Sequence, residues 1–362
     1  MSFVYSHPFT GLANGLNTMQ GGGAVGGWVE LGRTTLGSAS DTITVSSLAD
    51  KRYYMVLADL QPTGNVDEYF RLGNGSADTG SNYARRFSGD GGADGTGTSQ
   101  AFVKIGINGS ASLPRFHASY IANLSGNEKL AITHGVGPNT AGAGTAPSRR
   151  ESVWKWVNTS NPLDVIQMGD DGGAGQYNTG SELVVLGWDP DDTHTNNFWE
   201  ELASDSPTGS AGESMDVSFT AKKYLWVQWY IDADSPYSFS QMRVGNSTVD
   251  TGNNYARRYS INGAADGSST SADKWDMNAS TLNAGEQEFG NMFIINNASN
   301  EKLMMCWISG NNTGAGAANA PHRSEWVGKW ANTSNQIDTI QMLTNGSDTK
   351  TSKSIIKVWG AD

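Results

Sequence analysis

A nine-residue motif occurs twice in the chain and constrains its fold more than any other feature. Residues 78–86 are Asp-Thr-Gly-Ser-Asn-Tyr-Ala-Arg-Arg, and residues 250–258 repeat them with one change, Asn253 in place of Ser81. The copies lie 172 positions apart, close to half of the 362-residue chain. Repeats of this length are whole domains rather than the short units of a solenoid. The sequence therefore predicts a tandem duplication of one domain.

Other matches extend the duplication along most of the chain. Asn-Glu-Lys-Leu at 127–130 returns at 300–303, and Asn-Thr-Ser-Asn at 158–161 returns at 332–335. Pro190 and the aspartates around it mark the connection between the copies, because Pro and clustered Asp favour turns. The predicted organisation is an N-terminal arm at 1–24, a first domain at 25–188, a linker at 189–197 and a second domain at 198–362.

One segment of each copy alternates in the manner of a half-buried strand. Apolar side chains fill every second position, at Tyr54, Val56, Ala58 and Leu60 in the first copy and at Leu225, Val227, Trp229 and Ile231 in the second. Because successive side chains of a strand point to opposite faces, this set is predicted to face the core. The intervening positions of the second copy are mixed in polarity. Their aromatic members are predicted to form an outward face at Tyr224, Trp226 and Tyr230.

Short apolar runs of this kind recur along both copies, separated by clusters of Gly, Ser, Thr and Asn. The chain has 45 glycines, and turn residues between short strands are typical of all-β proteins. No long stretch follows a helical period. The sequence therefore predicts an all-β chain made of two tandem antiparallel jelly-roll-like β-sandwich domains.

Charge and cysteine content argue against several classes of protein. A formal net charge of −12 opposes binding to phosphate backbones, so no nucleic-acid partner is predicted. Cys306 is the only cysteine, which excludes a disulfide framework and favours synthesis inside a cell. Neither a signal peptide nor an apolar run long enough to cross a bilayer is visible, so we expect cytoplasmic synthesis without a signal peptide and no membrane association.

The shared Tyr-Ala-Arg-Arg segment is the main candidate for a binding site. Arginine offers a planar fork of donors that suits an anion or a sugar. The predicted binding residues are Tyr83, Arg85, Arg86, Tyr255, Arg257 and Arg258. The alternative is structural: the tyrosine packs inward and one arginine pairs across strands with a carboxylate. Glu128 and Glu301, present in both copies, are the candidate partners.

Candidate metal and catalytic groups are few. The Gly-rich segment 88–99 carries spaced aspartates but lacks the bidentate Glu of an EF-hand loop, so a turn is expected there. Asp191, Asp192 and His194 could ligate a metal, but a solvated turn is the stronger interpretation. The sequence contains no paired carboxylates of glycosidase type, no histidines at metal-ligand spacing and no nucleophile elbow. We therefore predict no metal, no cofactor and no enzymatic activity.

Several segments of the first copy resemble one known family. They are residues 28–37 (Trp-Val-Glu-Leu-Gly-Arg-Thr-Thr-Leu-Gly), 49–54 (Ala-Asp-Lys-Arg-Tyr-Tyr), 82–86 (Asn-Tyr-Ala-Arg-Arg) and 91–95 (Gly-Gly-Ala-Asp-Gly). Together they resemble the tandem jelly-roll, lectin-like structural proteins of tailed-phage virions, of head-decoration or fibre type. The second copy departs from the pattern at its start, where the Gly-Arg-Thr-Thr run is missing after Trp199.

The resemblance implies a non-enzymatic structural protein on the virion surface, either a bacteriophage capsid decoration or cement protein or a fibre component. The implied partners are other virion proteins of the capsid or tail, and further copies of the chain in a homo-oligomer. Two alternatives stay open: a carbohydrate-binding adhesin module that binds surface glycans, and a double jelly-roll major capsid protein.

The arm at 1–24 has no counterpart before the second copy and carries the aromatic residues Phe3, Tyr5 and Phe9. Ordering such a segment costs conformational entropy, which burial of apolar side chains at a contact offsets. These three residues are therefore predicted to take part in assembly.

Overall fold

The computed structural model is made of β-strands, and the residues it describes include no helix. Accordingly, none of them forms a helix that could span a membrane. The N-terminal arm, with Phe3, Tyr5 and Phe9, lies outside the described residues. The structure describes residues 27–107, 112–172, 176–192, 197–210, 213–234, 240–277, 282–311, 317–344 and 350–362.

The described part of the first copy contains thirteen strands. In chain order they are β1 (Val29–Thr35), β2 (Thr42–Val45), β3 (Tyr53–Leu60), β4 (Glu68–Asn74), β5 (Ser76–Ala77), β6 (Tyr83–Gly89), β7 (Gly95–Gln100), β8 (Val103–Lys104), β9 (Arg115–Ala122), β10 (Lys129–Gly137), β11 (Ser148–Trp156), β12 (Val165–Asp170) and β13 (Glu182–Trp188).

The described part of the second copy contains the equivalent thirteen. They are β14 (Glu200–Asp205), β15 (Met215–Ser218), β16 (Tyr224–Asp232), β17 (Ser240–Asn246), β18 (Thr248–Val249), β19 (Tyr255–Ile261), β20 (Gly267–Ala272), β21 (Trp275–Asp276), β22 (Gln287–Ile295), β23 (Lys302–Gly310), β24 (His322–Trp330), β25 (Thr339–Thr344) and β26 (Ile355–Ala361).

Each copy forms a large and a small antiparallel sheet. In the first copy the large sheet has the order β1-β13-β3-β9-β10-β11-β6-β7, and the small sheet has the order β2-β12-β4-β5 with β8 paired to β4. The second copy repeats both orders, as β14-β26-β16-β22-β23-β24-β19-β20 and as β15-β25-β17-β18 with β21 paired to β17. Consecutive strands often change sheet, as in a jelly roll. The predicted fold class, two tandem antiparallel β-sandwiches, is confirmed.

The core of each sandwich lies between its large and small sheets. The eight alternating residues predicted to face the core on β3 and β16 are all buried. In the first copy, Phe70 and Leu72 on β4 and Ile166 and Met168 on β12 supply the opposite wall. A register shift of one residue would have placed the other face inside, so the predicted register of β3 and β16 is confirmed.

One cross-strand pair shows how the two cores have diverged. On β3 and β9 of the first copy, Ala58 lies opposite His117. On the equivalent strands of the second copy, Trp229 lies opposite Gly290. A large side chain has changed strands while the pair still fills the space between the same two strands. Close packing of a core requires this compensation, because a residue can grow only where its neighbour shrinks.

Cys306 lies on β23 inside the core of the second sandwich, where it is fully buried. Burial raises the pKa of its thiol well above the ordinary value, because the thiolate would lose its hydration. The side chain therefore behaves as a small apolar residue that packs between the two sheets.

The outer faces of the two large sheets pack against each other and form a third apolar core between the copies. Phe116 of the first copy lies 6.3 Å from Tyr224 of the second between ring centroids, and Tyr120 lies 6.5 Å from Phe293. At the rim of this contact, Lys223 lies 3.0 Å from Glu182. The duplication has therefore produced a pair of sandwiches joined through their large sheets.

This third core corrects the prediction of an outward aromatic face. Tyr224 and Trp226 are 0% and 3% exposed. They point away from the core of their own sandwich, as alternation requires. Phe116 and Glu182 of the first copy contact Tyr224, and Trp226 packs in the third core with Trp199, Phe293 and Trp359. Tyr230 lies farther along β16 and is 37% exposed. Alternation along one strand identifies which face a side chain takes, and a neighbouring domain then decides whether that face meets water.

The connection between the copies is fastened to the first sandwich. Lys51 Nζ lies 2.5 Å from Asp192 Oδ1, and Asp189 Oδ1 accepts a hydrogen bond from the backbone N of Arg52 at 2.8 Å. Asp192 thus pairs with a lysine rather than contributing to a cluster of ligands, and His194 lies outside the described residues. Across the part of the chain described here, no group of three metal-ligating side chains occurs.

Candidate functional site

The repeated motif builds a turn rather than a binding surface. Trp156 Nε1 donates to Asp78 Oδ2 at 2.7 Å, and Asn82 Nδ2 donates to the same oxygen at 2.8 Å. Tyr83 points into the core, where its hydroxyl donates to Leu72 O at 2.8 Å and accepts from Leu72 N at 3.0 Å. The motif therefore fastens the start of β6 to β4 and explains why the sequence repeats it.

The second copy has the same arrangement. Trp330 Nε1 donates to Asp250 Oδ2 at 2.7 Å, and the Tyr255 hydroxyl donates to Val244 O at 2.8 Å. Tyr83 and Tyr255 are both fully buried. These two tyrosines are therefore unavailable to a ligand at the surface, which corrects their assignment as binding residues and confirms the structural alternative for them.

The motif's aspartates have shifted acidities. Burial alone would raise the pKa values of Asp78 and Asp250. The hydrogen bonds that their carboxylates accept from Trp156 and Trp330, and from neighbouring amides, outweigh this effect and hold both pKa values below the ordinary Asp value. Both groups are thus stabilised in the charged form by the fold.

The first arginine of each motif also points inward. The Arg85 guanidinium donates to the backbone O of Lys104 and lies 4.2 Å from the centre of the Phe87 ring. Arg257 repeats both contacts, with Asp276 O and with Tyr259. The predicted carboxylate partners, Glu128 and Glu301, are wrong for these arginines, because each glutamate contacts a lysine instead.

The second arginine of each motif lies on the outer face, and here the copies differ. Arg86 is exposed, with an Nη1 atom 3.5 Å from Asp94 of the next turn. Arg258 instead contacts the first copy: its Nε donates to Pro147 O at 2.9 Å and lies 3.2 Å from Asp90 Oδ1. The equivalent arginine is therefore exposed in the first copy and part of an interface in the second.

Around Arg258, the outer face of β23 and β24 is buried beneath the first copy. We call Leu303, Met305, Val327 and Lys329 the occupied face; all four are fully or almost fully buried. The first three belong to the third core, as does Val136 of the first copy. The segment that follows Val136, residues 138–147 between β10 and β11, makes hydrogen bonds to the second copy, and we call it the docking loop.

Lys329 and Glu301 hold the first half of the docking loop by its main chain. Lys329 Nζ donates to the carbonyl oxygens of Pro138 at 3.0 Å and Thr140 at 2.5 Å. The Glu301 carboxylate accepts from the backbone N of Gly142. Burial lowers the pKa of Lys329, and the two carbonyls replace the water that this ammonium group has lost.

Ser271 and Arg258 hold the second half of the docking loop. Ser271 N donates to Ala143 O at 2.8 Å, and Arg258 Nε donates to Pro147 O. All the loop atoms in these contacts belong to the main chain. The occupied face therefore recognises a stretch of polypeptide by its carbonyl and amide groups, and small side chains let that backbone approach.

The equivalent face of the first copy is open. We call Leu130, Ile132, Val153 and Lys155 the open face. The three apolar members are 57%, 49% and 49% exposed, and the Lys155 side chain is 41% exposed. They lie on β10 and β11, which are the equivalents of β23 and β24. Isolated exposed apolar residues are ordinary, but a contiguous patch of them marks an interaction surface.

The open face forms the floor of a groove of about 790 Å³ with an aromatic wall. Tyr53 and Trp188 stack there at 5.3 Å between ring centroids. Trp28 lies 6.5 Å from Trp188 and 6.4 Å from Tyr120. The groove is thus mainly apolar, with charged groups at its edge.

The four groups that hold the docking loop all have counterparts around the open face. Lys155 Nζ lies 2.8 Å from Glu128 Oε2, so the equivalents of Lys329 and Glu301 pair with each other here. Ser99 shares the unusual backbone of Ser271, with positive φ values of 50° and 48°. The equivalents of Lys329, Glu301, Arg258 and Ser271 are Lys155, Glu128, Arg86 and Ser99.

The aspartates of the Gly-rich turn at 88–99 and of its counterpart in the second copy contact arginines. Asp266 Oδ1 accepts from Arg149 Nη2 at 2.7 Å, and Asp90 Oδ1 accepts from the backbone N of Arg149 at 2.8 Å. Asp94 lies beside Arg86. These aspartates are partners in contacts within and between the copies.

The sequence patterns singled out Arg86 and Arg258, which lie beside the open and the occupied face, but missed the open face itself. A usable signal was present: residues 129–133 read Lys-Leu-Ala-Ile-Thr, so apolar residues occupy both faces of β10. A strand with apolar residues on both faces is covered on both sides or offers one side to a partner.

Comparison with known proteins does not assign the chain to a family. No protein-family model matches the chain, and no curated protein matches it. Among solved structures, it is similar to domains LG4-5 of the mouse laminin alpha1 chain at 10% identity and a TM-score of 0.19, covering 92% of this chain and 89% of that one. It is also similar to OccK9 (OpdG) of Pseudomonas aeruginosa at 11% identity and a TM-score of 0.12, covering 85% and 97%. Both scores are too low to support an inference about fold or function.

Proposed function

We propose that this chain is a non-enzymatic structural protein on the surface of a bacteriophage particle, and that a polypeptide partner binds its open face. The observation that supports the proposal is the contrast between two equivalent faces. Leu303 and Lys329 are buried beneath polypeptide, whereas Leu130 and Lys155 offer the same chemistry and are exposed. A component of a larger assembly needs such a surface, apolar at its centre and polar at its rim.

The phage part of the proposal is supported by the resemblance of segments 28–37, 49–54, 82–86 and 91–95 to virion structural proteins. On this basis the chain decorates a capsid or forms part of a fibre, and its partners are other virion proteins and further copies of itself. The chain needs no metal or cofactor for this role.

Particles purified from producing cells test the proposal. Leu130→Asp puts a carboxylate on the floor of the groove, and Leu124→Asp is the matched control, because Leu124 is an exposed leucine of the same copy that lies away from the groove. The number of copies per particle is measured by quantitative mass spectrometry. We expect Leu130→Asp to lower it at least tenfold, the order expected for a central contact residue, and Leu124→Asp to leave it unchanged. Absence of the unsubstituted chain from purified particles would contradict the proposal.

A carbohydrate-binding adhesin is the second candidate function. It is favoured by the stacked Tyr53 and Trp188 at the wall of the groove, since aromatic faces pack on sugar rings. A glycan array separates the two functions. Specific binding that Trp188→Ala abolishes and Leu124→Asp preserves supports the adhesin, and an array without specific binding supports the structural role.

A further inference from the structure

We propose that the open face binds a second copy of this chain, which presents the segment that leads into its β24, residues 317–321. Molecules would then associate head to tail, the second copy of one against the first copy of the next. The inference rests on the proposed structural role and names the partner at the same site.

The contact already exists once inside the molecule. The docking loop at 138–147 leads from β10 into β11 and lies against the occupied face of the second copy. Residues 317–321 lead into β24, the equivalent of β11. The association therefore repeats between molecules a contact that joins the two copies within each molecule.

The sequence of the segment matches the docking loop. Residues 139–147 are Asn-Thr-Ala-Gly-Ala-Gly-Thr-Ala-Pro, and residues 312–321 are Asn-Thr-Gly-Ala-Gly-Ala-Ala-Asn-Ala-Pro. Both are made of small residues and end in Ala-Pro. Because the occupied face takes the docking loop by its main chain, a segment of small residues meets the same requirement.

The two segments differ in what covers them. Ala146 and Pro147 of the docking loop are buried, whereas Ala320 and Pro321 are exposed. Leu130 of the open face is exposed as well. The chain's own residues 317–321 therefore do not occupy its own open face. Each molecule has one exposed face and one exposed segment, and a second copy supplies the counterpart of each.

The rim of the open face carries Arg86 and Ser99, the counterparts of Arg258 and Ser271. In the occupied face, Arg258 binds the carbonyl of Pro147 and Ser271 binds that of Ala143, so these two residues hold the end of the docking loop. Residues 317–321 correspond to that end and share its Ala-Pro. Arg86 and Ser99 are therefore placed to bind the main chain of the segment in the same way.

A contact of this kind is heterologous, because the two surfaces that meet are different. Heterologous contacts close into a ring when the rotation between neighbours allows it, and otherwise continue as an open filament. Either outcome repeats the chain many times in one assembly.

Sedimentation of the full chain over a range of concentrations tests the inference. Unsubstituted protein should show a mass that rises with concentration. Leu130→Asp puts a charge on the open face, and Ala320→Asp puts a charge into the segment at 317–321. Each substitution should weaken association at least tenfold. Both positions are exposed in the single molecule, so both variants should fold, and far-ultraviolet circular dichroism checks this. Leu124→Asp is the matched control and should associate like the unsubstituted chain.

A mixture of the two variants makes the test specific. The Leu130→Asp chain keeps its segment at 317–321, and the Ala320→Asp chain keeps its open face. Their 1:1 mixture should therefore form a dimer and nothing larger, at concentrations where each variant alone stays monomeric. A mixture that stays monomeric, or unsubstituted chain that stays monomeric to millimolar concentration, overturns the inference.

The N-terminal arm is the other possible occupant of the open face, and a chain lacking residues 1–24 tests it. If this truncation abolishes association while Ala320→Asp does not, the N-terminal arm binds the open face and the inference is wrong. The particle experiment is independent of these results. Loss of Leu130→Asp from particles without any self-association would leave the structural role supported and remove the second copy as the partner. If the chain associates head to tail but is absent from particles, the second copy remains supported as the partner and the structural role in a particle is contradicted.

Discussion

At the residue scale, the two copies fill equivalent cores in different ways. In the first copy, His117 is buried opposite Ala58, and burial lowers its pKa to about 3, so it is neutral in the fold. In the second copy, Trp229 extends over Gly290 and its Nε1 donates to Glu288 at 2.8 Å. Each strand pair keeps one large and one small residue, but the Trp229 indole has a hydrogen-bond partner and the His117 ring has none among the described residues.

Gly290→Ala should destabilise the protein through this exchange. A Cβ at Gly290 would lie 2.0 Å from the Trp229 ring, so the indole must move within a close-packed core. We expect a loss of about 1–3 kcal/mol in the free energy of unfolding, as for other overpacked cores, measured by urea denaturation. Gly37→Ala is the control, because a Cβ there meets no atom within 4 Å. Equal stability of the two variants would contradict the proposed packing.

Asp78 and Asp250 should make stability depend on pH. Their pKa values are lower in the folded chain than in the unfolded chain. Their contribution is therefore present above the unfolded pKa, about 4, and is lost as pH falls through the folded value. As pH is lowered from about 5 to about 2, the free energy of unfolding should fall less in Asp78→Asn and in Asp250→Asn than in the unsubstituted chain. Asp94→Asn, in an exposed turn, is the control and should keep the original slope.

At the element scale, the docking loop depends on the buried Lys329, whereas the equivalent Lys155 is exposed and contributes little to stability. Lys329→Met leaves the carbonyls of Pro138 and Thr140 without their donor, which costs about 1–3 kcal/mol when such groups are buried. Lys155→Met is the same change at the exposed equivalent and should stay within about 0.5 kcal/mol. Urea denaturation measures both, and limited proteolysis should cut within 138–147 faster in Lys329→Met only.

The strands also show how far sequence patterns reach. Alternation placed Tyr54 and Leu225 correctly in their cores, because a strand has two faces and one of them was uniformly apolar. The same pattern misplaced Tyr224 and Trp226, since it carries no information about a second domain resting on the other face. Leu130 and Ile132 went unnoticed for a related reason. Equivalent strands of the two copies have similar sequences, and only their position in the molecule makes one face buried and the other open.

At the scale of the whole molecule, the third core should couple the unfolding of the two sandwiches. Phe293→Ala removes a buried ring that contacts Tyr120 across the interface, with an expected cost of about 3–5 kcal/mol. Phe289 lies on the same strand and is exposed, so Phe289→Ala should cost less than about 0.5 kcal/mol. In differential scanning calorimetry, the unsubstituted chain should unfold in a single peak. Phe293→Ala should unfold in two separate transitions. Two resolved peaks in unsubstituted protein would show that the copies unfold independently.

The duplication itself was readable from the sequence, and the way its halves associate was not. Matching motifs establish that two domains share a fold, but a contact between them depends on shape and on a few rim contacts such as Lys223 with Glu182. These residues have no spacing relationship in the chain. The candidate site follows the same rule, because it is defined by what one copy covers and the other leaves exposed.

The buried position of Cys306 makes the rate of thiol labelling a measure of how often the second sandwich opens. A thiol reagent reacts with the thiolate, and this one is sealed between two sheets of the second sandwich with its ionisation suppressed. Labelling can therefore proceed only when that sandwich opens, so the rate at which a thiol reagent is consumed counts opening events. Since the first copy has no cysteine, the signal comes from one half alone. The single buried thiol of this chain thus reports when the second half exposes its interior, without any engineered residue.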